Sequence, residues 1–113
     1  MKTNFFIGPM SKNVVDSIIE FNAIRNENVG IIPSRRQVEF DGGYSNNWTT
    51  KELRKYAPGL IIKRDHAGPS QGNYEDDGYK SLKEDCNYMD IIHIDPWKKY
   101  QSYQDGLRWT IDM

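Results

Sequence analysis

Cysteine is nearly missing from this chain: Cys86 stands alone among 113 residues. An internal disulfide is therefore impossible, and a reducing compartment is the natural expectation. Long apolar runs are missing as well. None approaches the roughly 20 residues that a membrane-crossing helix needs. Met1-Lys2-Thr3-Asn4-Phe5-Phe6-Ile7 carries one cation and a brief apolar run before Gly8-Pro9, which is not the layout of a secretory signal. The expected location is the cytoplasm, without a membrane. In that setting the sequon Asn47-Trp48-Thr49 is a coincidence. Charge of one sign is not in excess either, since 15 Lys and Arg face 16 Asp and Glu for a formal net charge of -1. That balance removes any global attraction to nucleic acid or a membrane surface. There is no phosphate-cradling P-loop, no dinucleotide glycine fingerprint and no nucleophile-elbow serine. No cluster has zinc-finger spacing.

What is present fits one polar, globular domain over residues 1–113 with a modest core. Phe5-Phe6-Ile7 reads as a first strand closed by Gly8-Pro9. Ser11 can cap a following helix in which Val14, Val15, Ile18 and Ile19 share a face, ending near Asn26 to Asn28. Val29-Gly30-Ile31-Ile32 is a second apolar run, stopped by Pro33 and followed by the turn-former Asp41-Gly42-Gly43. Thr49-Thr50-Lys51-Glu52 has the capping-box pattern, which predicts a short helix over Lys51 to Tyr56 closed by Pro58-Gly59. Leu60-Ile61-Ile62 opens a third strand. Asp76 or Asp77 then starts a helix with Tyr79, Leu82 and Cys86 on one stripe. Met89 to Asp95 is a fourth strand ended by Pro96-Trp97. From Tyr103 to Met113, Tyr103, Leu107 and Thr110/Ile111 recur at helical spacing.

Apolar runs thus begin near residues 5, 29, 60 and 89. Strands recurring at this interval with helical patterns between them are βα units in parallel pairing. The expected fold class is α/β, a parallel (βα)4 unit. It corresponds to the N-terminal half of a TIM (β/α)8 barrel, whose usual length is about 250 residues. Alternatives of the same pattern are a half-barrel completed by a partner and a small open sheet. An isolated half-barrel exposes strand edges and apolar helix faces, which drive pairing.

Residues with chemistry gather just after the strands. Asp65-His66, between the third strand and Ala67-Gly68-Pro69, can supply a proton donor or acceptor and a metal ligand to one pocket. His93 and Asp95, two apart on a strand, share one face, with Ile92 and Ile94 on the other. Asp95, at the strand end, reads as part of a site, and His93, one step deeper, as a satisfied core histidine. Arg35, Arg36, Lys63 and Arg64 form two cationic pairs at strand ends, suited to a phosphate or carboxylate on a small substrate. Singly, each also fits a solvated surface. Glu39 is open between a carboxylate ligand, a base and a cap. Lys98 and Lys99 read as surface, Cys86 as packing, and Trp48, Trp97 and Trp109 as cover for the core.

Three segments carry a resemblance. Ser34-Arg35-Arg36-Gln37-Val38-Glu39-Phe40-Asp41-Gly42-Gly43-Tyr44 resembles the second-strand region of the non-catalytic (accessory) subunits of tagatose-bisphosphate aldolase. Arg64-Asp65-His66-Ala67-Gly68-Pro69 resembles their Gly-Asp-His-x-Gly-Pro motif, and Ile92-His93-Ile94-Asp95 their Ile-His-Leu-Asp strand. The resemblance implies a TIM barrel related to class II, metal-dependent sugar-phosphate aldolases. It implies Asp65 as catalytic acid/base, His66 as a zinc ligand and a phosphorylated sugar as substrate. The remaining zinc ligands would lie in later strands. Arg35-Arg36 and Lys63-Arg64 depart from the family pattern toward more positive charge, which implies a more anionic substrate. Because the accessory subunits support a catalytic partner, a non-enzymatic role stabilising such a partner, or a homo-oligomer, is the alternative. A metal-free sugar-phosphate lyase or isomerase on the same scaffold is a third.

Overall fold

The computed structural model describes residues 3, 5–72 and 76–112. Met1, Lys2, Asn4 and Met113, which entered the reading above, lie outside the described residues. Strand and helix alternate through eight elements: β1 (Phe6–Ile7), α1 (Lys12–Arg25), β2 (Gly30–Ile31), α2 (Thr50–Tyr56), β3 (Lys63–Ala67), α3 (Tyr79–Tyr88), β4 (Ile91–Ile94) and α4 (Tyr103–Asp112). The chain is thus an α/β domain with four helices. β1 pairs with β2 and β3 with β4, both in parallel. A parallel bridge from Ile31 to Ile62 joins the two pairs. The Ile31 N–H donates to the Ile61 carbonyl and the Asp65 N–H to that of Pro33. The strands therefore follow one another in chain order.

The local signals explain most of the helices. Ser11 accepts a hydrogen bond from the Val14 N–H, and α1 closes on Asn26 in the left-handed conformation, burying Val15 and Ile18. Thr49 and Glu52 complete the capping box of α2, with both reciprocal bonds at 3.1 Å. α3 begins later than the sequence predicts. Neither Asp76 nor Asp77 is its cap: Gly78, at φ +82°, precedes the first turn. A Cβ there would lie 2.8 Å from the Gly68 carbonyl carbon, so the close approach of this turn to the β3 loop selects glycine over a side-chain cap.

Two predicted stripes turn out differently. α3 buries Ser81, Leu82 and Asp85, and Cys86 is exposed, because the Asp85 carboxylate is drawn inward to Arg64. α4 buries Gly106 and Trp109. Gly106 lies under the Trp97 ring, where a Cβ would come within 2.2 Å of it. Tyr103, Leu107 and Ile111 consequently face outward, and Trp97 is half-exposed against Tyr103 rather than covering the core.

Two apolar clusters hold the layers together. One joins α1, β2 and α2 through Val15, Ile18, Ile31, Leu53 and Ile62, with Val38 and Trp48. The other sets Ala67, Leu82 and Trp109 beneath Ile92 and Ile94. Each such aliphatic side chain contributes about 1.5–3 kcal/mol. The opposite face of β3 and β4 is open. Lys63 pairs with Ile91, a residue 43% exposed, and His93 is exposed on the same face. Parallel sheets are ordinarily covered on both faces. With extents of 47 × 28 × 20 Å, the described chain is a slab rather than a sphere. Among the described residues, no helix is long and apolar enough to cross a membrane.

Candidate metal centre

The site is created by an irregularity in β3. Arg64 pairs with Ile92 and Ala67 with Ile94, so three steps along β3 match two along β4. The extra residue is a β-bulge at Asp65-His66, and His66 takes a positive φ of +50°. In an unbroken strand, successive side chains point to opposite faces. The bulge cancels that alternation and brings both side chains to the same end of the sheet. His66 Nε2 lies 3.4 Å from Asp65 Oδ1, and the His66 and His93 rings are 4.8 Å apart between centroids. One ligand atom each from Asp65, His66 and His93 falls within 4.8 Å of the other two.

Asp95 sits behind this cluster. Its Oδ2 is 2.6 Å from His66 Nδ1 and accepts from Gln71 Nε2 at 3.3 Å, while Oδ1 accepts from the Trp97 N–H at 3.0 Å. Partial burial raises the Asp95 pKa. The Trp97 N–H, the His66 hydrogen bond and the two imidazoles outweigh it, so the carboxyl lies below its ordinary value and is ionised at neutral pH. An ionised carboxylate on Nδ1 fixes that nitrogen as N–H and leaves the Nε2 lone pair for a ligand. Gly68 keeps this end tight: a Cβ there would sit 1.8 Å from the Asp95 carbonyl oxygen. Two imidazoles and a carboxylate, with a further carboxylate behind one imidazole, suit zinc and neighbouring divalent transition metals.

His93 is therefore not the satisfied core histidine that its position in the strand suggests. It stands on the open face of the sheet against His66.

The four cations divide. Arg64 is 0% exposed. Its guanidinium makes a bidentate pair with Asp85 at 2.9 Å and donates to the carbonyls of Pro33, Ser34 and Val38 and to Thr50. Every donor is used within the protein, so the expected ligand-binding role of Arg64 gives way to that of a strut between β3, α3 and the β2–α2 connection. Arg35, also buried, pairs with Glu39 at 2.6 Å, donates to the Gly68 carbonyl at 2.7 Å and bridges to Asp76. Glu39 in turn accepts from Ser81 Oγ at 2.6 Å and from the Phe40 N–H. It is thus held in a buried network rather than presented to a ligand.

Lys63 and Arg36 remain. Lys63 is the first residue of β3 and so stands at the start of that strand rather than at its C-terminal end, on the open face over the Phe6 ring. Arg36 is exposed at the rim of a hollow of about 430 Å³, lined also by Arg35, Gly42, Gly43 and Tyr44. The Gly42-Gly43 turn shapes that hollow. Gly42 has φ +101°, and a Cβ on Gly43 would meet the Gln37 carbonyl at 2.1 Å.

Gln71 and Asp85 were given no role in the sequence, and Asp76 only that of a possible helix start. Gln71 could have been given one, because it lies in the Gly/Pro-rich loop that follows Asp65-His66. Asp85 carried no local signal beyond its charge, and the pairing of Asp76 with Arg35, 41 positions earlier, had none. No family model, no curated protein and no solved structure matches the chain.

Proposed function

We propose that this chain is the first half of a (βα)8 barrel that holds a divalent transition metal on His66 and His93 and acts on a phosphorylated sugar by aldol cleavage or condensation. The observation that carries the reading is the bulge at Asp65-His66, which assembles Asp65, His66, His93 and Asp95 at the C-terminal ends of adjacent parallel strands. Sites of βα barrels lie at that end. Strands in unbroken chain order suit a barrel, whereas doubly wound sheets reverse their order at a switch point.

When bound, such a metal polarises a substrate carbonyl and stabilises the negative charge that develops on carbon–carbon cleavage. The residues of this chain then divide the remaining work. Asp95 orients His66. Asp65, partly exposed beside the imidazoles, moves the proton at the substrate hydroxyl. Arg36, whose charge is not buried, attracts the phosphate.

The test is metal stoichiometry followed by turnover. Wild type is expected to bind zinc, His66→Ala and His93→Ala to lose it, and Asp65→Asn to keep the metal while losing aldol cleavage across a panel of phosphorylated sugars. No metal uptake by wild type overturns the reading. A metal-free Asp65→Asn protein makes Asp65 a ligand instead of the proton carrier. One observation favours the accessory role as the second reading: two of the four expected anion-binding cations, Arg35 and Arg64, are committed to internal ion pairs. Metal uptake with no turnover until a catalytic partner is added would decide for it.

A further inference from the structure

The hollow beside Arg36 carries charges of both signs, which is more than a phosphate site needs. Its volume of about 430 Å³ suits a small molecule. Among the described residues, two guanidiniums, Arg35 and Arg36, line it with three carboxylates, Glu39, Asp41 and Asp76. Tyr44 is the remaining polar side chain of that wall, and Lys80 is turned onto the Phe40 ring instead.

The inner charges are neither balanced nor fully used. Arg35 is 4% exposed, and its single guanidinium serves both Glu39 and Asp76. Its Nε and Nη1 make every hydrogen bond that it has among the described residues, which leaves Nη2 without one. Nη2 lies beside Gly72 on the wall of the hollow, where a Cβ would stand 3.4 Å from it. A nearly buried donor left open to a cavity calls for an acceptor from a ligand. The outer charges are idle as well. Arg36 and Asp41 are exposed on this one hollow, and they stand too far apart to pair. Among the described residues, neither side chain has a hydrogen-bond or ion-pair partner.

A bare phosphate does not suit such a lining, because carboxylates outnumber guanidiniums and repel it. A neutral polyol leaves Asp41 and the carboxylate surplus around Arg35 without a counter-charge. We propose that the hollow takes a ligand that carries an ammonium as well as a phosphate, which makes the substrate a phosphorylated amino sugar. The phosphate accepts from Arg36 and from Arg35 Nη2, and the ammonium donates to Asp41. The hollow and the metal cluster share one wall: Gly72 lines the first, and its neighbour Gln71 donates to Asp95 of the second. The inference rests on the phosphorylated-sugar part of the function proposed above and not on the metal.

Isothermal titration calorimetry tests it on the 113-residue chain with EDTA present, so that no metal takes part. At about pH 6.5 the amines of the probes are protonated. Glucosamine 6-phosphate and O-phosphoethanolamine carry the ammonium. N-acetylglucosamine 6-phosphate has lost that charge to acetylation, and glucose 6-phosphate never had it. The two amines should bind roughly tenfold or more tighter than the other two esters. Asp41→Asn should erase that preference and leave glucose 6-phosphate bound at least as tightly. Arg36→Ala should weaken all four. Both residues are exposed, and far-UV circular dichroism checks that the variants fold. Equal binding of glucosamine 6-phosphate and its N-acetyl derivative, or a preference that survives Asp41→Asn, overturns the ammonium site and leaves the phosphorylated-sugar reading standing. Binding of none of the four overturns this inference together with the phosphate role of Arg36, while zinc uptake still decides the metal centre separately.

Discussion

His66 Nδ1 lies 2.6 Å from Asp95 Oδ2, a contact that joins the bulge of β3 to the end of β4. It spans 29 positions of sequence and leaves the other ring nitrogen, Nε2, facing Asp65 at 3.4 Å. A carboxylate behind an imidazole orients the ring and raises its basicity toward a metal. Asp95→Asn keeps the shape and one acceptor oxygen but removes the charge. The variant should bind cobalt(II) or zinc about 10–100-fold more weakly, with an unchanged circular dichroism spectrum. Competition against a chromophoric chelator measures it. Equal affinity in the two proteins would show that Asp95 does not support the imidazole.

The positive φ of His66 gives a second prediction that separates strain from chemistry. A non-glycine residue in the left-handed region costs roughly 1–2 kcal/mol, and glycine does not pay it. His66→Gly and His66→Ala both remove the imidazole and its bond to Asp95. His66→Gly should nevertheless be the more stable of the two by about 1 kcal/mol in urea denaturation. The opposite order would mean that the bulge does not hold this backbone conformation in solution.

That bulge also marks where the sequence stops being legible. The alternation of apolar runs and helical patterns was enough to place all eight elements, and Ser11 and the Thr49–Glu52 box located two helix starts, because those signals are local. Asp65-His66 was recognisable as a strand-end pair. Its convergence with His93 was not, since strict alternation puts neighbouring residues on opposite faces and only the inserted residue reverses this. Arg64 was misread for a related reason. A cation at a strand end looks available to a ligand until Asp85, 21 residues later on α3, is known to face it. The outer stripe of α4 was read as periodic and apolar, which it is. What buries the helix instead is Trp109 in the cluster with Ala67 and Leu82 and Gly106 against Trp97, and a glycine contributes nothing to an apolar count.

The Arg64–Asp85 pair is fully buried on both sides. Removing one partner strands a charge in the interior, which costs about 3–5 kcal/mol, while replacing both by apolar groups of similar volume is often neutral or stabilising. Arg64→Met should therefore lower the urea midpoint sharply. The double variant Arg64→Met with Asp85→Leu should recover much of the loss. Full recovery is not expected, because in both proteins the Val38 carbonyl loses the Arg64 donor, and the carbonyls of Pro33 and Ser34, which also accept backbone N–H groups, each lose one of theirs. A double variant no more stable than Arg64→Met alone would locate the value of Arg64 in those carbonyls rather than in the ion pair.

Asp76 supplies a pH dependence independent of the metal cluster. Partial burial raises its pKa, but the Arg35 guanidinium outweighs this, helped by the Gly78 and Ser70 backbone N–H groups, and the folded value lies below the ordinary one. A carboxylate with a depressed folded pKa adds stability that is present above its unfolded pKa of about 3.9. That stability is lost as pH falls through the folded value. Asp76→Asn should thus be destabilised by about 1.5–3 kcal/mol at pH 7, the worth of a hydrogen bond to a charged group. The gap from wild type should close as the pH falls below about 4. Urea denaturation of both proteins across that range reads the gap directly. A difference that stays constant with pH would mean that Asp76 contributes through shape and neutral hydrogen bonds, and that the Arg35 bridge carries no net charge effect.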